Sequence, residues 1–376
     1  MPATRIADFP EPDRVEGAPH PRETQRLFGQ SEAEAAFLEA FNAGRLHHAW
    51  LITGPRGLGK ATLAWRIARF LLATPEDDGG MFAPPPPATL DIPADHPVSR
   101  RLAALSEPRL YLLRRGLNDR ETMVTQDILV GEVRLMKDYF NLTAADGGRR
   151  VAIVDAADEM NPQAANALLK LLEEPPEKVT FLLISHQPFG LLPTIRSRCR
   201  TLRLRALDSA DLTAALQAAG GGADDPVALA ELAGGSVGAA IRLTNLDGLK
   251  LYADLIELLA GLPRLDRRRA LTLAESLSGK GREARFDLGL TLLDLLLSRA
   301  ARYGATGQPL PEAAPGEAAL LARLSPDTFA AREWADLAQG LGQRARRGRA
   351  VNLDPTALLM DMVFSIDATA ARLAAR

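Results

Sequence analysis

One segment of the chain has the residue types and the spacing of a phosphate-binding loop. Its sequence is Gly54-Pro55-Arg56-Gly57-Leu58-Gly59-Lys60. In such loops, glycines let backbone N–H groups approach a nucleotide's phosphates and the lysine adds a positive charge. The next residue normally carries a hydroxyl that binds Mg²⁺, and here it is Ala61. Thr62 does not replace that hydroxyl, because one further helical residue turns the side chain by about 100°. The sequence therefore predicts a nucleotide site that lacks a metal ligand, and it leaves open whether a nucleotide is bound.

A second candidate is Asp155, the acid that ends an apolar run. In nucleotide-binding α/β folds, an acid at the end of such a strand holds Mg²⁺ through water; the alternative is that Asp155 caps a helix. In hydrolases of this kind the following residue is a glutamate that orients the attacking water, whereas this chain has Ala156. Asp158 and Glu159 belong to the next turn and are expected to point away from a nucleotide. Without the hydroxyl and the glutamate, hydrolysis at this site is not expected.

A cluster of arginines lies around Ser197-Arg198-Cys199. The other members are Arg196, Arg200, Arg203 and Arg205. One interpretation is a solvated basic face. The other is an arginine finger, in which the planar guanidinium of Arg198 reaches the γ-phosphate of a nucleotide on an adjacent subunit. Spacing alone does not choose between them. Cys199 is interpreted as a small packed residue rather than a nucleophile, because no histidine is placed to activate it.

Alternating strands and helices up to about residue 205 must position these groups. Strands are predicted at residues 50–53, 110–113, 150–155, 179–184 and 202–204, and helices at residues 31–42, 60–72, 128–140 and 164–172. Ser31 is predicted to cap the first helix, with Glu34 at the capping-box spacing. Glu173 and Glu174, which follow the last helix, are expected to be exposed. The alternation predicts an α/β domain with a mainly parallel sheet.

The composition of the remaining segments divides the chain further. Residues 1–22 are rich in proline and predict a flexible N-terminal arm or a surface strap. Residues 23–205 form the predicted α/β domain, within which 73–98 are a proline-rich insertion. Residues 206–246, broken by runs of glycine, predict a small helical lid, and residues 247–376 predict an all-α domain. The basic run at 343–349 indicates a contact with DNA phosphates, a contact with an acidic partner, or a solvated loop.

Composition limits the classes of function. The net charge is −2, so the whole chain is not a basic nucleic-acid coat and any contact with nucleic acid must be local. The single cysteine excludes an intramolecular disulfide and a cysteine-rich zinc site, and no metal site is predicted. The sequence has no apolar run of roughly 18 residues and no apolar signal core near its start, so we expect a cytoplasmic protein without a membrane span.

These motifs together resemble the clamp-loader branch of the AAA+ proteins, strongly over about residues 25–205 and weakly over the lid. The segments that carry the resemblance are residues 47–55, 155–160, 166–176 and 192–199. The last two are highly specific, whereas the glycine loop is common to many folds. Near the end of the chain, Val351-Asn352-Leu353-Asp354-Pro355 is similar to the C-terminal signature of the delta-prime subunits of bacterial DNA polymerase III.

The resemblance implies an AAA+ P-loop domain, a helical lid and a C-terminal collar domain that joins subunits. It implies that Arg198 faces ATP on a neighbouring gamma or tau subunit, and that Ser185 occupies the first sensor position. In Gly235-Ser236-Val237-Gly238 the last residue stands where family ATPases carry an arginine. A degenerate site that holds ATP or ADP without hydrolysis would use Gly54, Pro55, Gly57, Gly59, Lys60, Thr62, Asp155 and Ser185. The four-cysteine zinc module common in relatives is absent, and no zinc is expected.

The implied partners are the gamma/tau and delta subunits, the beta sliding clamp through the assembly, and primed-template DNA, with no membrane. The chain would then be a subunit of a DNA-directed DNA polymerase holoenzyme, whether or not it is itself an enzyme. An alternative within the same superfamily is an active gamma/tau-type ATPase motor, and residues 61, 156 and 238 argue against it. A P-loop kinase is a third possibility, but it leaves Arg198 and the helical C-terminal half unexplained.

Overall fold

The computed structural model describes residues 11, 14–75, 85–117, 124–142, 148–222, 225–351 and 353–376. These residues form two compact units. The first comprises Met1–Gly220 with Ser236–Gly238, and the second comprises Gly221–Gly235 with Ala239–Arg376. Residues 1–10, 12 and 13 of the predicted arm, residues 76–84 of the predicted insertion, and Asn352 of the C-terminal signature lie outside the described residues.

Strands and helices alternate in the first unit. Its elements are α1 (Ser31–Asn42), β1 (Ala49–Thr53), α2 (Lys60–Ala73), α3 (Pro97–Ala103), β2 (Leu110–Leu113), α4 (Val130–Leu142), β3 (Arg150–Val154), α5 (Pro162–Glu173), β4 (Val179–Ser185), α6 (Pro193–Ser197), β5 (Arg200–Arg203) and α7 (Ser209–Ala218). The described strands form one five-stranded sheet in the order β2-β3-β4-β1-β5. Every pairing is parallel. The predicted α/β class with a parallel sheet is therefore confirmed.

The central strands are apolar because they are covered on both faces. Each residue of β1, β3 and β4 is buried, and buried parallel strands have nearly continuous hydrophobic sequences for this reason. The register pairs Trp50 with Arg200 at the start of the β1–β5 ladder and Thr53 with Arg203 at its end. The glycine loop therefore follows the carboxyl end of a strand that lies between two neighbours, at the edge where α/β folds bind ligands.

Two local predictions were wrong in detail. Gln30, not Ser31, occupies the N-cap of α1, and it makes no capping side-chain bond. Its amide instead pairs with the backbone of Arg205 at 2.8 and 3.1 Å. Glu34 does not complete a capping box because its carboxylate accepts a hydrogen bond from buried Arg66 at 2.7 Å. Helix α4 begins at Val130 rather than at 128, because Ile128 pairs its backbone with the chain beside Met160.

A buried acid anchors the segment before β2. The side chain of Glu107 is 1% exposed and accepts hydrogen bonds from Arg101 and Arg109, each at 2.8 Å. Burial raises the pKa of Glu107, but hydrogen bonds from Arg109 and Arg101 outweigh that effect and hold it below its usual value. The carboxylate therefore stays charged at neutral pH and ties α3 to the start of β2.

The second unit consists of helices and their connections within the part of the chain that is described. They are α8 (Pro226–Ala233), α9 (Val237–Asn245), α10 (Gly248–Leu259), α11 (Arg267–Leu277), α12 (Glu283–Thr306), α13 (Glu317–Leu324), α14 (Thr328–Ala350) and α15 (Pro355–Ala374). The buried leucines of α10 and α12 and the buried Trp334 form its core. The helical C-terminal region is therefore as predicted, whereas the finer division at residues 205 and 246 stays a prediction.

The basic run lies within α14, so its interpretation as a loop was wrong. Arg344 of this run forms an ion pair with Asp361 of α15 at 2.6 Å. Ala345 and Gly348 are buried while Arg346 and Arg347 are exposed. This pattern shows that the helical periodicity continues through the basic run. The outward arginines remain compatible with a contact to phosphates or to an acidic partner.

No single described helix is long and apolar enough to cross a membrane; only the bent pair α8 and α9, taken together, meets that length and composition. Within the described ranges, no three His, Cys, Asp or Glu side chains gather as a possible metal site.

Candidate functional site

Lys60 lies at the start of α2 with its side chain turned back into its own loop. The residue is 3% exposed, and its Nζ donates to the carbonyl oxygens of Gly54 and Pro55 at 2.7 and 2.5 Å. Burial lowers its pKa to about 8, although the charges of Asp155 and Asp158 act in the opposite direction. The ammonium group that would hold a phosphate is thus satisfied by the loop itself.

The glycine loop is in close contact with Ser236 and Gly238. The backbone N–H of Gly238 donates to the carbonyl of Gly57 at 3.1 Å, and the hydroxyl of Ser236 donates to the carbonyl of Arg56 at 3.0 Å. A Cβ on Gly57, whose φ is +77°, would lie 2.3 Å from the Ser236 Oγ. At the position of the expected second-sensor arginine, the chain therefore contributes a backbone group that rests on the loop.

Asp155 follows β3 and lies near Lys60. It is buried, and its backbone N–H donates to the carbonyl of Leu113 at 2.9 Å. The short 3₁₀ turn that follows, Ala157–Glu159, has Ala156 at its N-cap and no side-chain capping bond. The alternative interpretation, in which Asp155 caps a helix, is therefore wrong for this turn. Ala156 is buried and has no group that could orient a water.

The hydroxyl of Ser185, the expected first sensor, already has a partner. It donates to Asp158 Oδ1 at 2.7 Å, and the backbone N–H of His186 donates to the other carboxylate oxygen. Asp158 thus holds the end of β4 and lies near Lys60, so the expectation that it points away from the nucleotide site was wrong. Glu159 pairs with Arg115 at 2.9 Å.

His186 lies beside Asp158 and was not among the residues predicted from the sequence. Burial lowers its pKa to about 4, and the charges of Lys60 and Arg56 act in the same direction. The imidazole is therefore neutral at physiological pH. Its place directly after Ser185 was the only signal in the sequence.

The sheet brings most of the predicted nucleotide-binding residues to one edge. Gly54, Asp155 and Ser185 follow or end the adjacent strands β1, β3 and β4, while Thr62 lies half-buried in the first turn of α2. These residues do not fit a Mg²⁺-bound nucleotide as they stand. Ala61 offers no hydroxyl, and Lys60 and Ser185 donate to groups of the chain itself.

Arg198 is not part of that edge. It is the C-cap residue of α6, and Cys199 separates it from β5. The first residue of β5, Arg200, pairs with Trp50 near the start of β1, whereas the glycine loop follows Thr53 at the other end. At about 3.3 Å per residue, three strand residues put roughly 10 Å between the two edges. Arg198 thus lies at the amino-terminal edge, away from the glycine loop of its own chain.

Contacts within the chain hold Arg198 in place. One guanidinium nitrogen is 2.8 Å from Glu173 Oε1 at the end of α5, and another donates to the carbonyl of Thr194 at 3.0 Å. The side chain is 36% exposed and that of Glu173 is 43% exposed, as expected for Glu173. An exposed pair of this kind stabilises a fold by only about 0–1 kcal/mol.

Three of the neighbouring arginines contact other side chains, while Arg200, Arg203 and Arg205 are all exposed, so the solvated basic face and the finger remain alternatives. Arg196 lies over the ring of Phe189 at 5.5 Å, and Arg200 lies over Trp50 at 5.2 Å. Arg205 pairs with Glu32 at 3.0 Å. Cys199 packs against the core of the unit, and burial raises its pKa to about 12. Its thiol is therefore neutral, which does not suit a nucleophile.

Part of this chain is similar to known proteins. Residues 29–208 match the family described as DNA polymerase III, delta subunit. The chain is 39% identical to DNA polymerase III subunit delta' of Pseudomonas aeruginosa over 152 residues, which are 40% of this chain and 41% of that protein. It is 32% identical to subunit delta' of Bacillus subtilis over 164 residues, 43% of this chain and 44% of that protein.

Similarity extends to a further subunit type. The chain is 31% identical to DNA polymerase III subunit tau of Escherichia coli over 182 residues, 48% of this chain and 25% of that protein. In each of these relatives the match spans less than half of the protein's length. Among solved structures, a DNA polymerase III gamma subunit-related protein of Thermotoga maritima aligns with 89% of this chain and 99% of its own at 17% identity and a TM-score of 0.39. Residues 29–208 of this chain therefore resemble the family described as DNA polymerase III, delta subunit, and over part of that length the chain is similar to delta' subunits.

Proposed function

We propose that this chain is a delta-prime-like subunit of a bacterial replicative clamp loader. It supplies Arg198 to the nucleotide of a neighbouring gamma/tau ATPase and does not hydrolyse ATP itself. The observation that carries the proposal is the position of Arg198 at the amino-terminal edge of the sheet. From there the guanidinium lies too far from the chain's own glycine loop to act on it, which leaves the nucleotide of a neighbouring subunit as its target. A planar, permanently charged fork is suited to stabilise the charge that develops on a γ-phosphate.

The chain's own loop supports the non-hydrolysing half of the proposal. Phosphoryl transfer depends on a metal that neutralises charge and on a residue that positions water. Ala61 and Ala156 replace both groups, and Gly238 offers a backbone N–H where an arginine would sense the nucleotide. The site thus retains a phosphate-loop shape with no means to activate water.

The proposed assembly contains gamma/tau and delta subunits, and it opens the beta sliding clamp and places it on primed-template DNA. Residues 247–376 serve as the collar that joins the subunits, residues 206–246 as the lid and residues 23–205 as the AAA+ domain. The role of the chain is then to complete a neighbour's active site and to hold the assembly in register.

The second candidate function is an active gamma/tau-type ATPase. The observation that favours it is the retention of Lys60 beside Asp155 and Ser185 at one sheet edge. In that function Lys60 would release the carbonyls of Gly54 and Pro55 when a nucleotide binds. The two candidates make opposite predictions for the same pair of substitutions.

The test is ATP hydrolysis by the reconstituted loader, stimulated by the clamp and primed DNA. Arg198→Ala in this chain is expected to reduce hydrolysis at the neighbouring site by about 10³–10⁵-fold, the effect of removing an arginine finger. Lys60→Ala is expected to leave turnover within a factor of about two. Arg203→Ala, a change at an exposed arginine on β5, is the matched control for loss of charge.

The outcomes separate the candidates. A damaging Lys60→Ala with a neutral Arg198→Ala would replace the finger-donor function by the motor function. Equal losses in Arg198→Ala and Arg203→Ala would indicate a general effect of positive charge rather than a finger.

A further inference from the structure

Phe189 is the most exposed of the large apolar side chains in the described residues, at 90%. It lies in a 3₁₀ turn, Pro188–Gly190, between β4 and α6. The ring therefore projects from a short structured turn that begins with a proline, which fixes one backbone angle. A phenylalanine that is 90% exposed buries little apolar area in the fold, so most of its ring is available to a partner.

The ring is paired with the helix that leads to Arg198. The guanidinium of Arg196 lies 5.5 Å from the centre of the Phe189 ring, within the range of a cation–π contact. Arg196 is in α6, whose C-cap residue is Arg198. Leu192, which caps the other end of α6, is also partly exposed. Phe189, Leu192, Arg196 and Arg198 thus lie in α6 or in the residues that flank it, and this set is here called the finger face.

The finger face has the composition of an interface centre. Aromatic residues and arginine are enriched among residues that dominate binding energy, because they combine large apolar area with directed polar contacts. The positive charge of Arg196 beside the ring, and that of Arg198 at the end of the same helix, favour a partner that presents negative charge. A subunit that brings a nucleotide triphosphate to Arg198 supplies that charge, and it must approach over the same helix.

We infer that Phe189, stacked on Arg196, anchors the neighbouring ATPase subunit whose nucleotide Arg198 reaches. The inference rests on the proposed function and adds a docking residue to it. Arg198 acts on the rate of hydrolysis, whereas Phe189 acts on the affinity of the two subunits. The two roles differ because the apolar ring of Phe189 has no group that could bind a phosphate, whereas the guanidinium of Arg198 has.

The test measures two quantities for each variant. One is the Kd between this chain and the ATPase subunit by titration, and the other is ATP turnover at saturating concentrations of this chain. Phe189→Ala is expected to weaken the Kd by roughly 30-fold, as for a hot-spot aromatic, with turnover at saturation within twofold. Phe189→Leu is expected to lose less, because it keeps apolar area. Leu135→Ala removes another apolar side chain, 55% exposed on α4 of the same unit, and is expected to leave the Kd unchanged.

Several results would overturn the inference. An unchanged Kd in Phe189→Ala, or an equal loss in Leu135→Ala, excludes a specific anchor. If Phe189→Ala leaves the Kd for the ATPase subunit unchanged but weakens binding to primed DNA, the ring contacts DNA. If it weakens self-association instead, the ring contacts a second copy of this chain. If Phe189→Ala weakens the Kd while Arg198→Ala leaves turnover intact, the docking surface stands and the finger function fails. If only Arg198→Ala has an effect, the finger function stands and the anchor fails.

Discussion

Arg299 joins four segments of the helical unit through a network of buried groups. Its side chain is 7% exposed, and its Nε donates at 2.6 Å to Glu317, which is 1% exposed. A further nitrogen donates to the carbonyl of Pro311 at 2.5 Å, and a third pairs with Glu231 at 3.2 Å. Glu317 also accepts the hydroxyl proton of Tyr252 at 2.6 Å. We predict that Arg299→Met destabilises this unit more than any exposed substitution on the same helix.

The expected loss of stability follows from the negative charge that remains on Glu317. Removal of Arg299 leaves the buried carboxylate of Glu317 with two neutral donors, Tyr252 and the backbone N–H of Ala313. Loss of one partner from a buried ion pair costs about 3–5 kcal/mol. The pair with Glu231 adds little, because that side chain is partly exposed. For a unit of this size, about 2–4 °C per kcal/mol gives a fall of roughly 6–20 °C in Tm.

The assay is amide hydrogen exchange of peptides from α12, which reports the free energy of opening for this unit separately from the α/β unit. Arg302→Met removes an exposed arginine from the same helix and is the control, expected within about 0.5 kcal/mol of the parent chain. Glu317→Gln, added to Arg299→Met, is expected to restore part of the loss because the buried group is then neutral. A loss below about 1 kcal/mol in Arg299→Met, or no recovery in the double variant, would refute the buried-charge argument.

Three further predictions concern the α/β unit. Cys199, whose pKa is raised to about 12 by burial, is expected to react with iodoacetamide at pH 8 about 10³-fold more slowly in the folded chain than in denaturant; equal rates would contradict this. Glu107→Gln is expected to lower the free energy of unfolding in urea at neutral pH. Because the folded pKa of Glu107 is depressed, that difference should shrink as the pH falls below about 4, and a difference independent of pH would exclude the charge as its cause. Gly57→Ala is expected to destabilise the unit by about 1–3 kcal/mol, since its Cβ meets Ser236. Gly44→Ala, at a similar positive φ with open space around it, should show only the backbone part of that cost in thermal unfolding.

Much of the α/β unit was predictable because its signals are local. Continuous apolar runs such as residues 150–154 indicate strands that are buried on both faces, and this pattern is independent of which strand lies beside which. The glycine loop was predictable for the same reason, since positive φ at Gly57 and Gly59 is a property that glycine alone adopts readily. The errors at Ser31 and Ile128 arose where a distant segment competed for the same backbone or side-chain groups.

The residues themselves determined that positions 61 and 156 carry neither the hydroxyl nor the carboxylate expected there, because alanine has no polar side-chain group in any fold. They also determined the strand–loop–helix order and the helical C-terminal half through periodicity, which neighbouring residues set. Only the tertiary structure decided where Arg198 lies. The sheet register puts it at the edge opposite the glycine loop, and register depends on pairing between segments about 150 residues apart. The same long-range packing places Gly238 on the loop, a contact that no local pattern encodes.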